Sequence, residues 1–366
     1  MMTTPLLTIK DLKVTITQDQ QAVYPVRGIS LDIYPQETVA IVGESGSGKS
    51  VFVRTILGLD QKNRRIDGDI RFNNQSLLTH SQTTWQAIRG KKIAMIFQNA
   101  MTVLNPALTI GHQLIETIRQ HHTITKAAAK QKAIQLLTDC ELDNVDLRMK
   151  QYPHEFSGGQ KQRIAIAIAL CGEPELLIAD EPTTALDVRI QDKIIKLIKK
   201  FQKKIGFSII FITHDLGIVS GVADRVAVMY AGRLVEHGTK RDIFYNPQHP
   251  YTWALLESIP DIHSNQTLLS IPGVPPNLSQ QIKGDAFAPR SKYALKIDYE
   301  QQPPFFQVNP HHYAATWLLH PKAPQVELSD NIKQRKELFR SLEKRVQNDE
   351  SSTISTTRCV HSLWIC

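Results

Sequence analysis

A glycine-rich stretch, GESGSGKS, places one lysine and one serine directly after a short apolar run. Glycines let the backbone curl so that successive N–H groups point inward, and the positive end of a following helix faces the same space. A lysine there adds a full charge, and a serine hydroxyl can ligate Mg²⁺. The stretch predicts a triphosphate cradle, with a flexible Gly/Ser turn as the alternative; its residues are Gly43, Glu44, Ser45, Gly46, Ser47, Gly48, Lys49 and Ser50.

Two adjacent carboxylates, Asp180 and Glu181, end the apolar run LLIADE. Asp180 is suited to hold the Mg²⁺ shell through water, and Glu181 to polarise an attacking water. Gln98 ends the run AMIFQ and could contact Mg²⁺ or that water. His214 ends IIFITH and could hydrogen-bond a γ-phosphate and the water. Each residue alone is consistent with an ordinary strand end, but together with the glycine loop they favour phosphoryl transfer to water.

A second glycine turn, FSGGQ, opens the helix candidate QKQRIAIAIAL. A helix N-terminus with a serine hydroxyl beside it is also suited to bind an anion. One nucleotide does not need two phosphate cradles from one chain, so we expect this turn to contact a nucleotide held by another subunit. The turn comprises Phe156, Ser157, Gly158, Gly159 and Gln160.

Apolar runs alternate with helical patterns along most of the chain, which predicts an α/β sheet. Ligands of such sheets bind beyond the carboxyl ends of the strands. The glycine loop, Gln98, the two carboxylates and His214 each follow a predicted strand, so four segments are expected to meet at one edge. A closing hairpin is predicted near residues 225–238, with its turn at Ala231-Gly232.

Composition changes near residue 245, where the proline-rich segments NPQHPYTWALLESIP and IPGVPPNL begin. We therefore predict a nucleotide-binding domain with an internal helical subdomain, an irregular accessory domain, and a tail made of an amphipathic helix and a disordered polar segment. The predicted bounds are 1–245 for the first domain, about 99–170 for its helical subdomain, 246–325 for the accessory domain, and 326–366 for the tail, with its helix at 330–347.

The composition excludes some classes of protein. Four cysteines without metal-ligand spacing predict reduced thiols rather than a disulfide scaffold. The first residues predict no secretory signal peptide, and no run of about 18 or more apolar residues predicts a membrane span. The net charge of +8 is compatible with an anionic partner or with none. The lysine-rich stretch 192–204 carries an apolar stripe at helical spacing, so we interpret it as a solvated helix face rather than a nucleic-acid patch.

Taken in order, the motifs resemble those of the ATP-binding subunits of ABC transporters, over residues 7–325. GESGSGKS is similar to Walker A, Phe97-Gln98 to the Q-loop, FSGGQ to the ABC signature, LLIADE to Walker B, TALD with Asp187 to the D-loop, and His214 to the switch histidine. The resemblance implies a P-loop NTPase core with an antiparallel β subdomain, a helical subdomain and a C-terminal accessory domain. Two such subunits dimerise head to tail in this family, so that each ATP lies between Walker A of one and the signature of the other.

The same resemblance implies the chemistry of the site. ATP is the expected nucleotide, and hydrolysis is expected to release ADP and phosphate. The implied ligands of Mg²⁺ are Ser50, Gln98 and Asp180, and the implied catalytic residues are Glu181, His214 and Gln98. An aromatic residue before the first core strands usually stacks on adenine in this family, and Tyr24 is the candidate; packing within a strand is the alternative.

Finer features resemble the oligopeptide/dipeptide importer branch, namely FQNAMTVLNPALTIGHQLIE, YPHEFSGGQKQR, NPQHPYTWALLESIPD and IPGVPPNL. This resemblance implies an ATPase that energises peptide uptake at the cytoplasmic face of the cell membrane. The implied partners are a second, different ABC ATPase, two membrane permeases and an extracellular peptide-binding protein, with no nucleic acid. The alternatives are a related importer of nickel or antimicrobial peptides, a soluble ABC ATPase, and a regulator that binds ATP without turnover.

Many members of this branch hold an iron–sulfur cluster on four cysteines of the accessory domain. Asp285, Ser291, Asp298 and Thr316 stand where those cysteines are expected here. No cysteine occurs between Cys171 and Cys359, so we predict that no iron–sulfur cluster is bound.

Overall fold

The computed structural model describes residues 4–18, 21–59, 63–98, 103–184, 186–259 and 271–353. The strands in these ranges are β1 (Leu7–Gln18), β2 (Gln21–Ile33), β3 (Thr38–Val42), β4 (Arg64–Phe72), β5 (Gln75–Ser76), β6 (Ile93–Ile96), β7 (Leu176–Asp180), β8 (Ser208–Thr213), β9 (Arg225–Tyr230), β10 (Arg233–Thr239), β11 (Phe306–Asn309) and β12 (His312–Ala314). The α-helices are α1 (Lys49–Ile56), α2 (Gln82–Ile88), α3 (Ile110–His121), α4 (Lys126–Asp139), α5 (Val145–Arg148), α6 (Gly158–Leu170), α7 (Val188–Ile205), α8 (Leu216–Val222), α9 (Lys240–Tyr245), α10 (Pro250–Glu257), α11 (Lys296–Glu300) and α12 (Asp330–Thr353).

Eight strands form the central sheet, in the order β11-β12-β10-β9-β3-β8-β7-β6. The strands from β9 to β6 are parallel, whereas β10 and the β11–β12 hairpin are antiparallel to their neighbours. Every residue of β3, β7 and β8 is buried, as expected for parallel strands covered on both faces. Burial on both faces explains the uninterrupted apolar runs in the sequence, and the predicted α/β fold is confirmed.

A second, antiparallel sheet has the order β2-β1-β4-β5. Leu7 of β1 is paired with Ile33 of β2 on one side and with Phe72 of β4 on the other, and all three are buried. These side chains join a hydrophobic cluster that includes Phe52 of α1. The antiparallel sheet therefore packs beside the helix that follows the glycine loop.

The chain between β6 and β7 is largely helical. On α3 the residues Ile110, Leu114 and Ile118 are buried at intervals of four, and on α4 so are Ala129 and Ala133. A spacing of four residues places side chains on one face of a helix. These faces join α6 and α7 in one hydrophobic cluster. The helical pattern predicted from residue 110 onward is thus divided into α3, α4 and the short α5.

The chain beyond β10 folds back onto the central sheet. Tyr251 and Trp253 of α10 share a hydrophobic cluster with Tyr230 of β9. β12 pairs with β10, where Ala314 lies opposite Glu236. This segment, predicted to be irregular, therefore contributes two strands to the central sheet.

The four positions expected to hold cysteines carry side chains that cap local turns. Each side-chain oxygen accepts a hydrogen bond from a nearby backbone N–H: Asp285 from Phe287 (3.0 Å), Ser291 from Tyr293 (3.2 Å), Asp298 from Leu295 (2.6 Å) and Thr316 from Leu318 (3.3 Å). Among the described residues no group of three or more His, Cys, Asp or Glu could hold a metal ion. The absence of a cluster from the protein remains a prediction.

The last helix, α12, is longer than the sequence predicted. It continues past residue 347 to Thr353, into the polar segment expected to be disordered. Because adding residues to an existing helix costs little, a polar continuation can stay helical. The rest of the tail, with Cys359 and Cys366, lies outside the described residues. None of the helices in the described ranges has the length and apolar character needed to span a bilayer.

Candidate active site

The glycine loop joins the buried end of β3 to the first residue of α1, Lys49. Gly48 has a φ of 98°, and a Cβ at this position would lie 2.0 Å from the carbonyl oxygen of Pro25 in β2. The left-handed backbone and the close approach both require glycine. Ser45 and Gly46 at the tip of the loop are exposed. The loop is therefore anchored at its base and open to solvent at its tip.

Lys49 is buried within the loop and donates hydrogen bonds to it. Its Nζ lies 2.7 Å from the carbonyl oxygen of Gly43, 2.8 Å from that of Glu44 and 3.3 Å from Oγ of Ser47. Burial lowers the pKa of Lys49, although nearby carboxylates led by Glu181 act in the opposite direction. Within the described ranges no carboxylate forms an ion pair with this buried ammonium, so it lacks a counter-charge in direct contact. An anion entering the loop would supply it.

Ser50 and Asp180 form an oxygen-rich pair next to the loop. The Ser50 hydroxyl donates to Oδ1 of Asp180 at 3.2 Å. Burial raises the pKa of the Asp180 carboxyl; the hydrogen bond from Ser50 opposes this, and the charge of Glu181 adds to it. Mg²⁺ prefers hydroxyl and carboxylate oxygens, and a cation would relieve the cost of this buried carboxylate. The pair therefore fits the expected ion, whereas Gln98, the third predicted ligand, contacts Glu181 instead.

Glu181 is the centre of a polar cluster at the carboxyl edge of the central sheet. Its Oε2 accepts hydrogen bonds from Nε2 of Gln98 at 3.0 Å and from the hydroxyl of Thr184 at 2.9 Å. Its Oε1 lies 3.3 Å from Nδ1 of His214. The structure thus brings the three predicted catalytic residues together. Sequence reasoning gave Thr184 no role, although it belongs to the TALD motif.

The backbone turns sharply at Glu181, which has a φ of 47°. This left-handed region is uncommon for residues other than glycine. The turn directs Asp180 to Ser50 and Glu181 to Gln98, so neighbouring carboxylates serve different parts of the site. Backbone strain of this kind costs about 1–3 kcal/mol and concentrates at functional sites.

The signature turn is a separate helix N-terminus. Oγ of Ser157 accepts a hydrogen bond from the backbone N–H of Gln160 at 3.3 Å, and Oε1 of Gln160 accepts one from the N–H of Ser157 at 3.0 Å. Ser157 and Gly158 are exposed, whereas Phe156 and Gly159 are buried. Across the part of the chain that the structure describes, no hydrogen bond or ion pair joins this turn to the Lys49 loop. The turn faces solvent within one chain.

The D-loop segment, Thr184 to Asp187, lies between the Glu181 cluster and the signature turn. Asp187 is the N-cap of α7, and its carboxylate accepts a hydrogen bond from the N–H of Ile190 at 2.9 Å. Leu186 lies next to the signature turn, since a Cβ placed at Gly158 would be 3.8 Å from its Cδ2. Ala185 lies outside the described residues. The segment therefore runs from the Thr184 contact with Glu181 to the signature turn.

Tyr24 lies on β2, close to the base of the glycine loop, and is partly buried. Its backbone N–H donates to the carbonyl oxygen of Leu278 at 2.9 Å. Its side chain lines a cleft of about 490 Å³ together with Arg27 and Arg233. Burial lowers the pKa of Arg27 to about 10, and the positive charge of Arg233 acts in the same direction. Stacking of Tyr24 on adenine stays a prediction.

Comparisons with known proteins agree with this geometry. The family model described as "ABC transporter" matches residues 26–184, and that described as "Oligopeptide/dipeptide transporter, C-terminal region" matches residues 235–297. The chain is 50% identical to a dipeptide transport ATP-binding protein, DppD, of Lactococcus lactis, over 89% of this chain and 95% of the relative. It is 51% identical to an oligopeptide transport ATP-binding protein, OppD, of Bacillus subtilis, over 94% and 97%.

Among solved structures, the ATP-binding cassette MJ0796, a dimer in a post-hydrolysis state bound to ADP and Pi, matches with a TM-score of 0.57 and 28% identity. The match covers 64% of this chain and 98% of that structure. The chain therefore belongs to the ATP-binding proteins of ABC transporters, in the branch that carries the oligopeptide/dipeptide transporter C-terminal region.

Proposed function

We propose that this ATPase energises the import of oligopeptides or dipeptides across the cell membrane. The observation that carries the proposal is the coexistence of the Glu181 cluster with a C-terminal region of the peptide-transporter type. Relatives at 50% and 51% identity are named for dipeptide and oligopeptide transport, and the similarity extends over most of this chain.

The glycine loop binds the phosphates of ATP through its backbone N–H groups and the Lys49 ammonium. Lys49 exchanges the carbonyls of Gly43 and Glu44, 2.7 Å and 2.8 Å away, for the phosphate oxygens. Ser50 and Asp180 would hold Mg²⁺, which when bound neutralises negative charge on the phosphates, and Gln98 would join them through its amide oxygen while its Nε2 stays on Glu181.

Hydrolysis depends on the cluster around Glu181. Its carboxylate orients the attacking water and accepts a proton from it as the new P–O bond forms and the bond to ADP breaks. Gln98 and Thr184 fix one carboxylate oxygen, so the other is left facing His214. His214 hydrogen-bonds the γ-phosphate and the water, and Lys49 neutralises charge on the transferred phosphoryl group.

A companion ATPase completes each site, because among the described residues no hydrogen bond or ion pair joins Ser157 to Gln160 with the Lys49 loop of their own chain. The companion is a second ABC ATPase of a different sequence. ATP binding closes the pair and hydrolysis reopens it. Two membrane permeases receive this motion through the segment after Gln98, of which residues 99–102 lie outside the described part of the chain. An extracellular protein delivers the peptide, and the ATPase works at the cytoplasmic face of the membrane.

The test compares Glu181→Gln with Glu175→Gln, which makes the same change on an exposed side chain just before β7. Loss of a positioned general base is expected to lower the ATPase rate by about 10³-fold. ATP affinity should stay within about threefold of wild type, and the control should keep full activity. Equal ATPase rates for Glu181→Gln and wild type would reject the assigned role.

Transport is tested in cells that carry only one of these variants. Uptake of labelled di- and oligopeptides should stop with Glu181→Gln and continue with Glu175→Gln. Loss of nickel or antimicrobial-peptide uptake with normal uptake of di- and oligopeptides would contradict peptide import. Unchanged uptake of all these cargoes, despite lost ATPase activity, would favour a soluble ABC ATPase.

A further inference from the structure

The C-terminal region reaches the side chain of Glu44 in the glycine loop through Arg290. Its guanidinium forms a bidentate ion pair with the Glu44 carboxylate, with Nη1–Oε2 at 2.6 Å and Nη2–Oε1 at 3.0 Å. The side chains of Arg290 and Glu44 are 5% and 23% exposed. Paired geometry of this type gives both strength and a fixed orientation. The contact therefore ties a residue of the phosphate loop to the segment beyond the cassette.

Arg290 is itself held from several sides. Its Nε donates to the carbonyl oxygen of Pro272 at 2.7 Å, and its Nη1 donates to the Tyr230 hydroxyl at 3.0 Å. Gly273 follows Pro272 with a φ of 74°, and a Cβ there would lie 3.3 Å from Cγ of Arg290. The IPG turn of the proline-rich segment thus forms a cradle for this guanidinium.

A second contact from the same region reaches the backbone of Glu44. Its N–H donates to the Tyr251 hydroxyl at 2.8 Å. Tyr251 packs against Tyr230 and Phe287, with ring centroids 4.5 Å and 5.2 Å away. The Glu44 carboxylate is therefore held by Arg290 and its N–H by Tyr251, and both partners lie outside the loop.

Glu44 in turn affects Lys49. The carbonyl oxygen of Glu44 accepts a hydrogen bond from Lys49 Nζ at 2.8 Å. The Glu44 carboxylate also lies close enough for its charge to act on the Lys49 ammonium. An unpaired carboxylate at this place would repel the phosphates that the loop receives. Arg290 neutralises that charge and fixes the peptide unit next to it.

We propose that Arg290 is a positioning residue for ATP binding, through which the C-terminal region sets the shape and charge of the glycine loop. This inference rests on the proposed role of that loop. It assigns the IPG turn, Tyr251 and Arg290 a common task. A change in the packing of the C-terminal region is thereby transmitted to ATP affinity without any contact between that region and the nucleotide.

The test measures the affinity of the full-length chain for MgATP by calorimetry and its Tm, together with KM and kcat of the complex that it forms with its companion ATPase. Arg290→Met keeps the volume of the side chain and removes its charge and donors. We expect a Kd and KM for ATP about tenfold higher, with kcat changed less than about twofold, because one lost ion pair near a phosphate site has this magnitude. Lys292→Met removes the same charge from an exposed neighbour in the same region and should leave Kd unchanged.

Two further variants separate charge and geometry from a structural role. Glu44→Gln in the Arg290→Met background removes the unpaired carboxylate and should return Kd to within about threefold of wild type. Tyr251→Phe removes only the hydroxyl that accepts from Glu44, and should raise Kd about threefold with no change in fold. Tyr251→Phe also keeps the proposal testable if Arg290→Met does not fold.

The outcomes divide clearly. A lower Tm with an unchanged Kd in Arg290→Met would overturn the proposal in favour of a merely structural ion pair, and so would an unchanged Kd in Tyr251→Phe if Arg290→Met is unfolded. Lys49→Ala is measured in parallel. If Lys49→Ala also left the Kd for ATP unchanged, the proposed phosphate site at the glycine loop would be wrong. If Lys49→Ala raised Kd but the Arg290 and Tyr251 variants left it unchanged, the phosphate site would stand and the positioning role of Arg290 would be wrong.

Discussion

The Lys49 loop and the Ser157 turn are both glycine-rich bends at the start of a helix, but their surroundings differ. Lys49 is 5% exposed and donates to oxygens of its own loop, which β2 and the C-terminal region hold in place. Ser157 is exposed, and its hydroxyl is used to cap its own helix. Gly48 is closely packed against Pro25, whereas the nearest described neighbour of a Cβ at Gly158 would be Leu186, at 3.8 Å.

This difference shows how one chain can carry two halves of different sites. The Lys49 loop is built inside the chain and holds a buried cation ready for an anion. The Ser157 turn is a plain helix N-terminus on the surface, so its proposed role depends on what another subunit places in front of it. Changes at the first should affect ATP affinity of the isolated chain, and changes at the second should affect turnover of the assembled pair.

Among the changes that test this comparison, the largest expected effect comes from Ser157→Arg. A bulky side chain at the exposed turn should block approach of a companion's nucleotide and lower the ATPase rate about 100-fold, the scale of losing preorganised donors. Affinity of the isolated chain for ATP should stay within about twofold. The measurements are steady-state ATPase rate and calorimetric ATP binding.

Thr125→Arg is the matched control, because Thr125 is also an exposed N-cap, and its hydroxyl accepts from Ala128 at 3.3 Å. It should keep normal turnover. An equal loss of turnover in both variants would mean that a missing helix cap is responsible, and the comparison between the two turns would break.

An intermediate effect, on the free energy of unfolding, is expected when Gly48 or Gly158 is replaced by alanine. Gly48→Ala must adopt a φ of 98° and places Cβ 2.0 Å from the Pro25 oxygen, so it should lose about 3 kcal/mol of unfolding free energy. Gly158→Ala meets its nearest neighbour at 3.8 Å and should change stability by less than about 1 kcal/mol. Urea denaturation of the full chain measures both. Similar losses at both positions would contradict the view that only the first loop is rigidly packed.

The smallest expected effect is a change in stability at Asp180. This buried carboxylate lies beside the Lys49 loop, where it accepts a hydrogen bond from Ser50. Its pKa is raised by burial, so the folded state binds its proton more tightly than the unfolded state does. Stability is therefore lost as pH rises through the raised pKa. Asp180→Asn should stabilise the nucleotide-free chain by about 1 kcal/mol at neutral pH, and the gain should vanish in acid below the unfolded pKa.

Thermal unfolding with EDTA across this pH range measures the effect of Asp180→Asn. Asp192→Asn, an exposed carboxylate paired with Lys196, is the control and should show no such pH dependence. A loss of stability in Asp180→Asn at neutral pH would show that the buried carboxylate is already compensated.

Much of the site could be predicted because its residues follow buried strands. Gln98, Glu181 and His214 each come after an apolar run, and parallel strands place their carboxyl ends at one edge. Residues that follow parallel strands are therefore expected to lie close together, even when they are far apart in the sequence. The left-handed turn at Glu181 leaves no such signal, because its side chain is charged and its conformation is imposed by the surrounding structure.

The C-terminal region was much harder to predict. Arg290 and Glu44 are 246 residues apart, and a single arginine among prolines carries no periodic pattern that would indicate its partner. β11 and β12 have only four and three residues, too short for a reliable alternation of apolar and polar side chains. Contacts of this kind are decided by tertiary packing, which the local sequence does not encode.

The pairing of β12 with β10 has a practical consequence for anyone who shortens this chain. A cassette cut after residue 245 would leave β10 as the border of the central sheet, with the carbonyl of Val235 no longer receiving the N–H of Ala315. Uncovered sheet borders recruit strands from other molecules. Self-association of such a fragment would then reflect a missing neighbour within the chain, and it would be mistaken for the nucleotide-driven pairing of two intact subunits.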